Sequence, residues 1–350
     1  MRSIETFTSG APQRVDITAI ERSLTALWKE AATPVEGETT AVTRACLLNL
    51  VVWSSGSAED RSLSDLIARV VTHHPARILM VEIDESAPEG TLEAFISAHC
   101  HRPTPAARQV CSEQVTLRAS ADSVAHVPGL AEALAVTDLP VLLFAPGDPP
   151  FAEPIFRRLV SGADKVIVDS AEFAGAGTLR AFASLVSSLR RAAAGDLNWG
   201  RVRGFQDLVA GFFDTSHFRA QIPRISSVEI SGGPGTESAA RLLGGWIAAA
   251  LERRAIEFNH ALDPALAAGF LRSVIMRSPD GPTAADFVVE ADAATGILTA
   301  RVIIEGTCPL PRRARPRSLD TAHLLCGQIE SMGRDPLYEA ALAGAAALSV

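Results

Sequence analysis

The chain has 350 residues, of which 47% are hydrophobic, 21% charged and only 5% aromatic, with a formal net charge of −8 at pH 7. That length fits two domains of about 100–200 residues each, with cores resting mainly on Leu, Ile, Val and Ala. An acidic chain holds nucleic acid only through a concentrated basic patch. The densest run, Arg312, Arg313, Arg315 and Arg317, is interrupted by prolines and reads as a solvated loop, so nucleic acid is not an expected partner. Residues 1–10 lack the basic-then-apolar order of a signal peptide, and no uncharged apolar run reaches about 18 residues, so no membrane span is expected either. The five cysteines (Cys46, Cys100, Cys111, Cys308 and Cys326) are odd in number and scattered, which points to reduced thiols in a cytoplasmic protein.

Asp16 is placed to cap a helix with Ile17, Ile20, Leu24, Leu27 and Trp28 on one face. Residues 33–40 read as a loop. Residues 44–53 then form a nearly unbroken apolar run, the mark of a strand buried on both sides. Leu63, Leu66, Ile67, Val70 and Val71 predict a helix over 60–71, ended by Pro75, and residues 78–83 predict a second continuous strand. Further strands are expected over 109–117, 139–144 and 165–168, with helical stretches between several of them. Continuous strands alternating with helices predict an α/β fold with a mostly parallel, doubly wound first domain, residues 1–175.

The second half, residues 176–350, changes character. Helices are expected over 179–194 and 199–213, a strand over 226–230 and a helix over 236–251. Three neighbouring strands over 270–276, 286–290 and 297–305 imply hairpins and a mixed sheet, hence a smaller α+β domain. Helices over 318–332 and from Pro336 close the chain, the latter announced by Asp335 at the cap and Pro at the first helical position.

Linear motifs for catalysis are sparse. Gly232, Gly233 and Gly235, followed by Thr236, lie between a strand and a helix, where backbone N–H groups can hold a phosphate. The spacing departs from G-x-G-x-x-G and Pro234 removes a donor, so a tight turn also accounts for the glycines. No Walker lysine and no G-x-S-x-G elbow is present. His99, Cys100, His101 and Cys111 lack paired metal-ligand spacing and read as two exposed histidines beside a buried thiol; no metal or cofactor is expected. His73 and His74 stand at a helix end, where imidazoles meet the last carbonyls, and Asp148 lies between two turn signals.

Eight segments in order carry a resemblance: Leu48–Val52, His74–Arg77, Cys111–Val115, Asp138–Val141 running to Gly147–Pro150, Ala163–Ser170, Asp196–Arg201, Leu242–Trp246 and Gly333–Leu342. Together they resemble the glucose-6-phosphate dehydrogenase assembly protein OpcA family over roughly residues 44–348. The resemblance implies a non-enzymatic assembly factor and allosteric activator. Its partner would be glucose-6-phosphate dehydrogenase, and its role the supply of NADPH through the oxidative pentose phosphate pathway. For some photosynthetic members it also implies thioredoxin control through cysteines. Candidate partner-binding residues are His74, Arg77, Asp148, Asn198, Trp199, Arg201 and Tyr338. Structural alternatives are that Trp199 packs between the domains and that Arg77 pairs with Asp169. The sequence departs from the family at Phe144, Ala145 and Pro146, where members carry two tryptophans and an arginine. The competing reading is a sugar-phosphate or nucleotide-binding enzyme or sensor built on the Gly232–Gly235 loop.

Overall fold

A computed structural model describes residues 6–31, 42–54, 60–101, 109–214, 216–252, 256–279, 284–304, 311–316 and 320–348. Cys308 and the loop expected over 33–40 lie outside the described residues. Two compact units emerge. The first comprises Met1–Val168 with Arg190–Ala193 and Asp320–Gly333, and the second holds Asp169–Leu189, Ala194–Leu319 and Arg334–Val350.

The first unit runs β1 (Thr6–Val15), α1 (Ile20–Ala31), β2 (Val42–Arg44), β3 (Leu48–Ser54), α2 (Asp60–Val71), β4 (Ala76–Ile83), β5 (Leu92–His101) and β6 (Gln109–Ala119). It continues through α3 (Val127–Leu134), β7 (Val141–Ala145), α4 (Pro154–Ser161) and β8 (Lys165–Val168). After β8 the chain enters the second unit with α5 (Ala176–Ser188), and β9 (Ala193–Asp196) begins in the first unit and ends in the second. These strands form a nine-stranded sheet of order β1-β5-β6-β4-β3-β7-β8-β9, with β2 also paired to β6. From β6 to β9 the order is that of a doubly wound nucleotide-binding fold, reversing between β3 and β7. The pairs among β6, β4, β3, β7 and β8 are parallel. Every residue of β3 is buried, as its unbroken apolar run requires.

Three expectations change here. Strands β1 and β5, which pair antiparallel, fall in polar stretches without strand signals. The helix expected over 179–194 stops at Ser188, and Ala193–Asp196 is a buried strand of small residues. Cys100 and Cys111 face each other across β5 and β6 and are joined in a disulfide, so the reading of uniformly reduced thiols fails at this pair. The flanking His99 and His101 are buried, not exposed, and His99 Nε2 lies 2.8 Å from Gln114 Oε1.

The second unit contains α6 (Leu197–Arg201), α7 (Arg203–Phe212), α8 (Ser216–Arg219), β10 (Ser227–Gly232), α9 (Glu237–Ala250), β11 (Glu257–Leu262), β12 (Leu271–Ser278), β13 (Ala285–Ala291), β14 (Leu298–Ile304) and β15 (Arg312–Ala314). α10 (Thr321–Glu330) belongs to the first unit, and α11 (Pro336–Ala347) returns to the second. The six strands form a mixed sheet of order β11-β10-β12-β13-β14-β15. Part of the arginine run read as loop is an edge strand: Arg312–Ala314 pairs with β14, and Arg312 donates to the carbonyl of Gly211 in α7. In the first unit, the buried Lys165 donates through Nζ to the carbonyls of Gln328 (2.7 Å) and Ser331, neutralising the carboxyl end of α10. Among the described residues no helix is long and apolar enough to cross a membrane.

Candidate functional site

In a doubly wound sheet, ligands bind outside the carboxyl ends of the strands where the order reverses. Here that point lies between β3 and β7. Trp53, near the end of β3, meets Phe156 of α4 edge-on at 5.5 Å, and Phe151 meets the same ring at 5.5 Å. All three are buried. In the sequence, β3 is followed by Ser55-Gly56-Ser57-Ala58-Glu59, with one glycine where a dinucleotide fingerprint needs three.

Farther along the sheet, the chain leaving β8 and β9 builds a buried polar network within the second unit. Asp196 ends β9 and caps α6. Its Oδ1 accepts from the backbone N–H of Asn198 (2.9 Å) and of Ser170 (3.0 Å). Its Oδ2 lies 3.3 Å from the hydroxyl of Tyr338, which donates to it. Asn198 Nδ2 donates to Ser170 Oγ at 3.1 Å. Asp169 accepts from both terminal guanidinium nitrogens of Arg201, Nη1 and Nη2, at 2.5 and 2.7 Å, in the forked geometry that makes such pairs strong. Trp199 stacks obliquely on Tyr338 with ring centres 5.6 Å apart, and its indole N–H donates to Asp335 Oδ2 at 3.1 Å. Asp335 in turn caps α11 through the N–H groups of Leu337 and Tyr338. Complete burial, with Asp169 adding like charge, raises the Asp196 carboxyl to about 6. The Tyr338 phenol is pushed well up by burial and by the Asp196 carboxylate.

Behind this network α9 and α11 approach backbone to backbone. A Cβ on Gly245 would stand 2.3 Å from both the Ala341 carbonyl oxygen and the Ala345 nitrogen, and one on Gly344 would stand 2.6 Å from the Gly245 carbonyl oxygen. Arg241, buried in α9, donates to the carbonyl of Leu348 at the end of α11 at 2.9 Å.

Two family models match the chain, described as the glucose-6-phosphate dehydrogenase subunit N-terminal domain, over residues 67–184, and C-terminal domain, over residues 192–342. The chain belongs to the OpcA family. It is 29% identical over 208 residues to the OxPP cycle protein OpcA of Synechocystis sp. (strain PCC 6803), covering 59% of this chain and 42% of the relative. Against that of Nostoc punctiforme it is 30% identical over 244 residues, covering 69% and 50%. Against that of Synechococcus elongatus it is 28% identical over 319 residues, covering 80% and 68%. The chain thus spans about half, or less, of the length of the first two relatives. Solved structures align loosely, for example an NADPH-dependent oxidoreductase of Desulfitobacterium hafniense at 10% identity and a TM-score of 0.42, over 86% of this chain and 94% of that one.

For an OpcA-family chain, the placement of the motif residues is informative. Asn198, Trp199, Arg201 and Tyr338 come together in the network just described. His74, Arg77 and Asp148 do not join it. Arg77, at the amino end of β4, is buried and donates to Glu113 (2.5 Å), Glu21 (2.6 Å) and the carbonyl of Leu134 (2.6 Å). Its partner is therefore not Asp169, which is held by Arg201. Trp199 packs on Tyr338 of its own unit. His74 Nε2 lies 3.5 Å from Glu330 Oε1, and burial lowers its pKa. Asp148 is exposed beside Gly147, whose φ of 76° makes the turn.

Four of the seven candidates (Arg77, Asn198, Trp199 and Tyr338) are buried among residues of the chain itself. Phe144 and Ala145, where the sequence departs from its family, are buried in β7. The Gly232–Gly235 turn is occupied by its own chain: Gly233 N–H donates to the Phe270 carbonyl, Gly269 N–H to that of Pro234, and Thr236 Oγ1 to that of Gly233. A Cβ on Gly233 would collide with the Ala267 carbonyl at 2.2 Å. The glycines serve close packing of this turn, and the acidic Glu237 opens the helix where a phosphate would need positive charge. Asp196, Asp169, Asp335 and Glu113 are site residues that the sequence does not single out; the signal available was an aspartate directly after a buried strand for Asp169 and before a proline-led helix for Asp335.

Proposed function

We propose that the chain is a non-catalytic assembly factor and activator that binds glucose-6-phosphate dehydrogenase and favours its active oligomeric state, raising NADPH supply in the cytoplasm. The observation that carries this reading is membership of a family whose models are described as subunit domains of that dehydrogenase. Two features of the chain support it. The sequence after β3 carries one glycine where a dinucleotide fingerprint needs three. Asn198, Trp199, Arg201 and Tyr338 are committed to hydrogen bonds within the chain, which fix the shape of the segment after β9.

In this reading Arg201, whose side chain is about one-third exposed, His74 and Asp148 touch the partner. Asn198, Trp199 and Tyr338 hold the segment that carries Arg201 in shape, and Arg77 holds the start of the strand that follows His74. An activator must bind the active form more tightly than the inactive one, since equal binding shifts nothing. The test mixes the purified chain with the dehydrogenase of the same organism and follows NADPH formation at subsaturating glucose 6-phosphate. A rise in rate, reduced by Arg201→Ala with the fold retained, is expected. An unchanged rate together with separate elution of the two proteins would remove the proposal.

A further inference from the structure

The disulfide of the first unit lies in a place set by strand register. Cys100 and Cys111 are direct partners across the antiparallel strands β5 and β6, and only 2% and 0% of their surfaces are exposed. Side chains alternate along a strand, so the sulfurs share their face of the sheet with the next pair, Ala98 and Glu113. Helix α1 covers that face. Leu27 and Trp28 pack against the small apolar cluster made by Ala98, Cys100 and Cys111. The Trp28 indole N–H donates to Glu113 Oε2 at 2.9 Å. The Arg44 guanidinium, itself 2.7 Å from Glu113 Oε1, lies over the Trp28 ring at 5.9 Å.

The two halves of α1 are held unequally. One and two turns before Leu27, Leu24 and Ile20 are almost wholly buried, and Glu21 is paired with Arg77 at 2.6 Å. The carboxyl-terminal half rests on Leu27 and Trp28, which are only half-buried. A helix end with few buried contacts opens at less cost than the whole domain unfolds. Thiol–disulfide exchange begins with a thiolate reaching a disulfide sulfur, and burial denies that access while α1 is seated. Lifting Leu27 and Trp28, with Ile20 and Leu24 still in place, uncovers the cluster without separating β5 from β6.

We infer that the carboxyl-terminal half of α1 is a lid over the Cys100–Cys111 disulfide, and that its opening sets the rate at which dithiols reduce the bond. With the lid raised, one thiolate of a dithiol attacks a sulfur of the pair. A mixed disulfide forms, and the other cysteine leaves as a thiolate. The second thiol of the reagent then closes the reagent's own disulfide and displaces the first cysteine. The reagent gives up two electrons and two protons, and the two cysteines take them as thiols. Such a lid lets the bond persist in a reducing compartment, where disulfides are rare. It belongs to the first unit alone and stands independently of the dehydrogenase.

The test uses the full chain purified without reductant, with its accessible thiols first blocked by N-ethylmaleimide. Dithiothreitol is added at pH 8, and the thiols released over time are alkylated with iodoacetamide and located by mass spectrometry. In the wild type, Cys100 and Cys111 should be released together, about 100-fold more slowly than in the same chain unfolded in urea. Leu27→Ala should speed release about tenfold. Trp28→Phe keeps a ring over the cluster but loses the bond to Glu113, and should speed release about fivefold. Ile67→Val thins the core under α2, outside the lid, and should leave the rate within about twofold. Circular dichroism checks that each variant is folded. Release as fast in the folded chain as in urea, release unchanged by both lid variants, or equal acceleration by Ile67→Val would each overturn the inference. So would purified chain in which maleimide has already blocked Cys100 and Cys111.

Discussion

The hydroxyl of Tyr338 donates across 142 residues of sequence to Oδ2 of Asp196, a carboxylate that ends a buried strand and has no exposure to solvent. The other oxygen of Asp196 collects two backbone N–H groups. The charge is thus well hydrogen-bonded yet poorly solvated, and desolvation dominates.

The pH dependence follows from the direction of that shift. The folded-state pKa, about 6, lies above the ordinary 3.8, so the folded protein holds the proton over a window in which the unfolded chain has released it. The stabilising contribution is full below about pH 4 and is lost as pH rises through 6, at about 2 kcal/mol across pH 4 to 7. Asp196→Asn keeps an acceptor for the two N–H groups and removes the charge. Denaturant unfolding of both proteins from pH 4 to pH 7.5 checks this: the variant's stability relative to wild type should rise with pH by about that amount. A pH-independent difference would mean that Asp196 does not titrate in this window.

Glu113 is held at 2% side-chain exposure by Arg77, Arg44 and the Trp28 indole, at 2.5, 2.7 and 2.9 Å. Removing one partner of a buried pair leaves an uncompensated charge, costing about 3–5 kcal/mol, whereas replacing both with apolar groups costs far less. Glu113→Ala should therefore destabilise strongly, while Arg77→Met combined with Glu113→Leu should be milder than the sum of the single changes. A double-mutant cycle by urea unfolding measures the coupling, and additive effects would show that the pair does not act as a unit.

The parts of the fold that were legible in the sequence are those whose burial is uniform. The apolar runs of β3, β4, β7 and β8 need no partner information, because both faces of a parallel sheet are covered. The Asp335-Pro336 start of α11 is equally local. Strands β1 and β5 escaped because they form an antiparallel pair at the sheet edge and β5 carries Glu93, Ser97, His99 and His101. Strand β9 escaped because Ala193-Ala194-Gly195-Asp196 has no β-branched residue, and its buried position alone makes it a strand. For the site, the ordered motifs pointed to Asn198, Trp199, Arg201 and Tyr338 but not to their convergence. That depends on contacts between chain segments about 140 residues apart, which no periodicity encodes.

Gly245 and Gly177 make the last comparison, because both are helical glycines with opposite surroundings. Gly177 in α5 has nothing within 4 Å of a Cβ, so Gly177→Ala should be neutral or stabilising by up to about 1 kcal/mol through helix propensity and a less flexible unfolded chain. Gly245→Ala gains the same propensity but drives a methyl into the α11 backbone, 2.3 Å from Ala341 O and Ala345 N. Backbone atoms cannot rotate away as a side chain would, so α9 and α11 must separate, at a cost of about 3 kcal/mol or more. Because Tyr338 rides on α11, that separation should also loosen its hydroxyl from Asp196. Thermal melting of the two variants should then show opposite shifts, and near-ultraviolet circular dichroism should change for Gly245→Ala alone, since Tyr338 is the only tyrosine and stacks on Trp199. Equal melting temperatures for the two variants would show that the helices do not touch at Gly245.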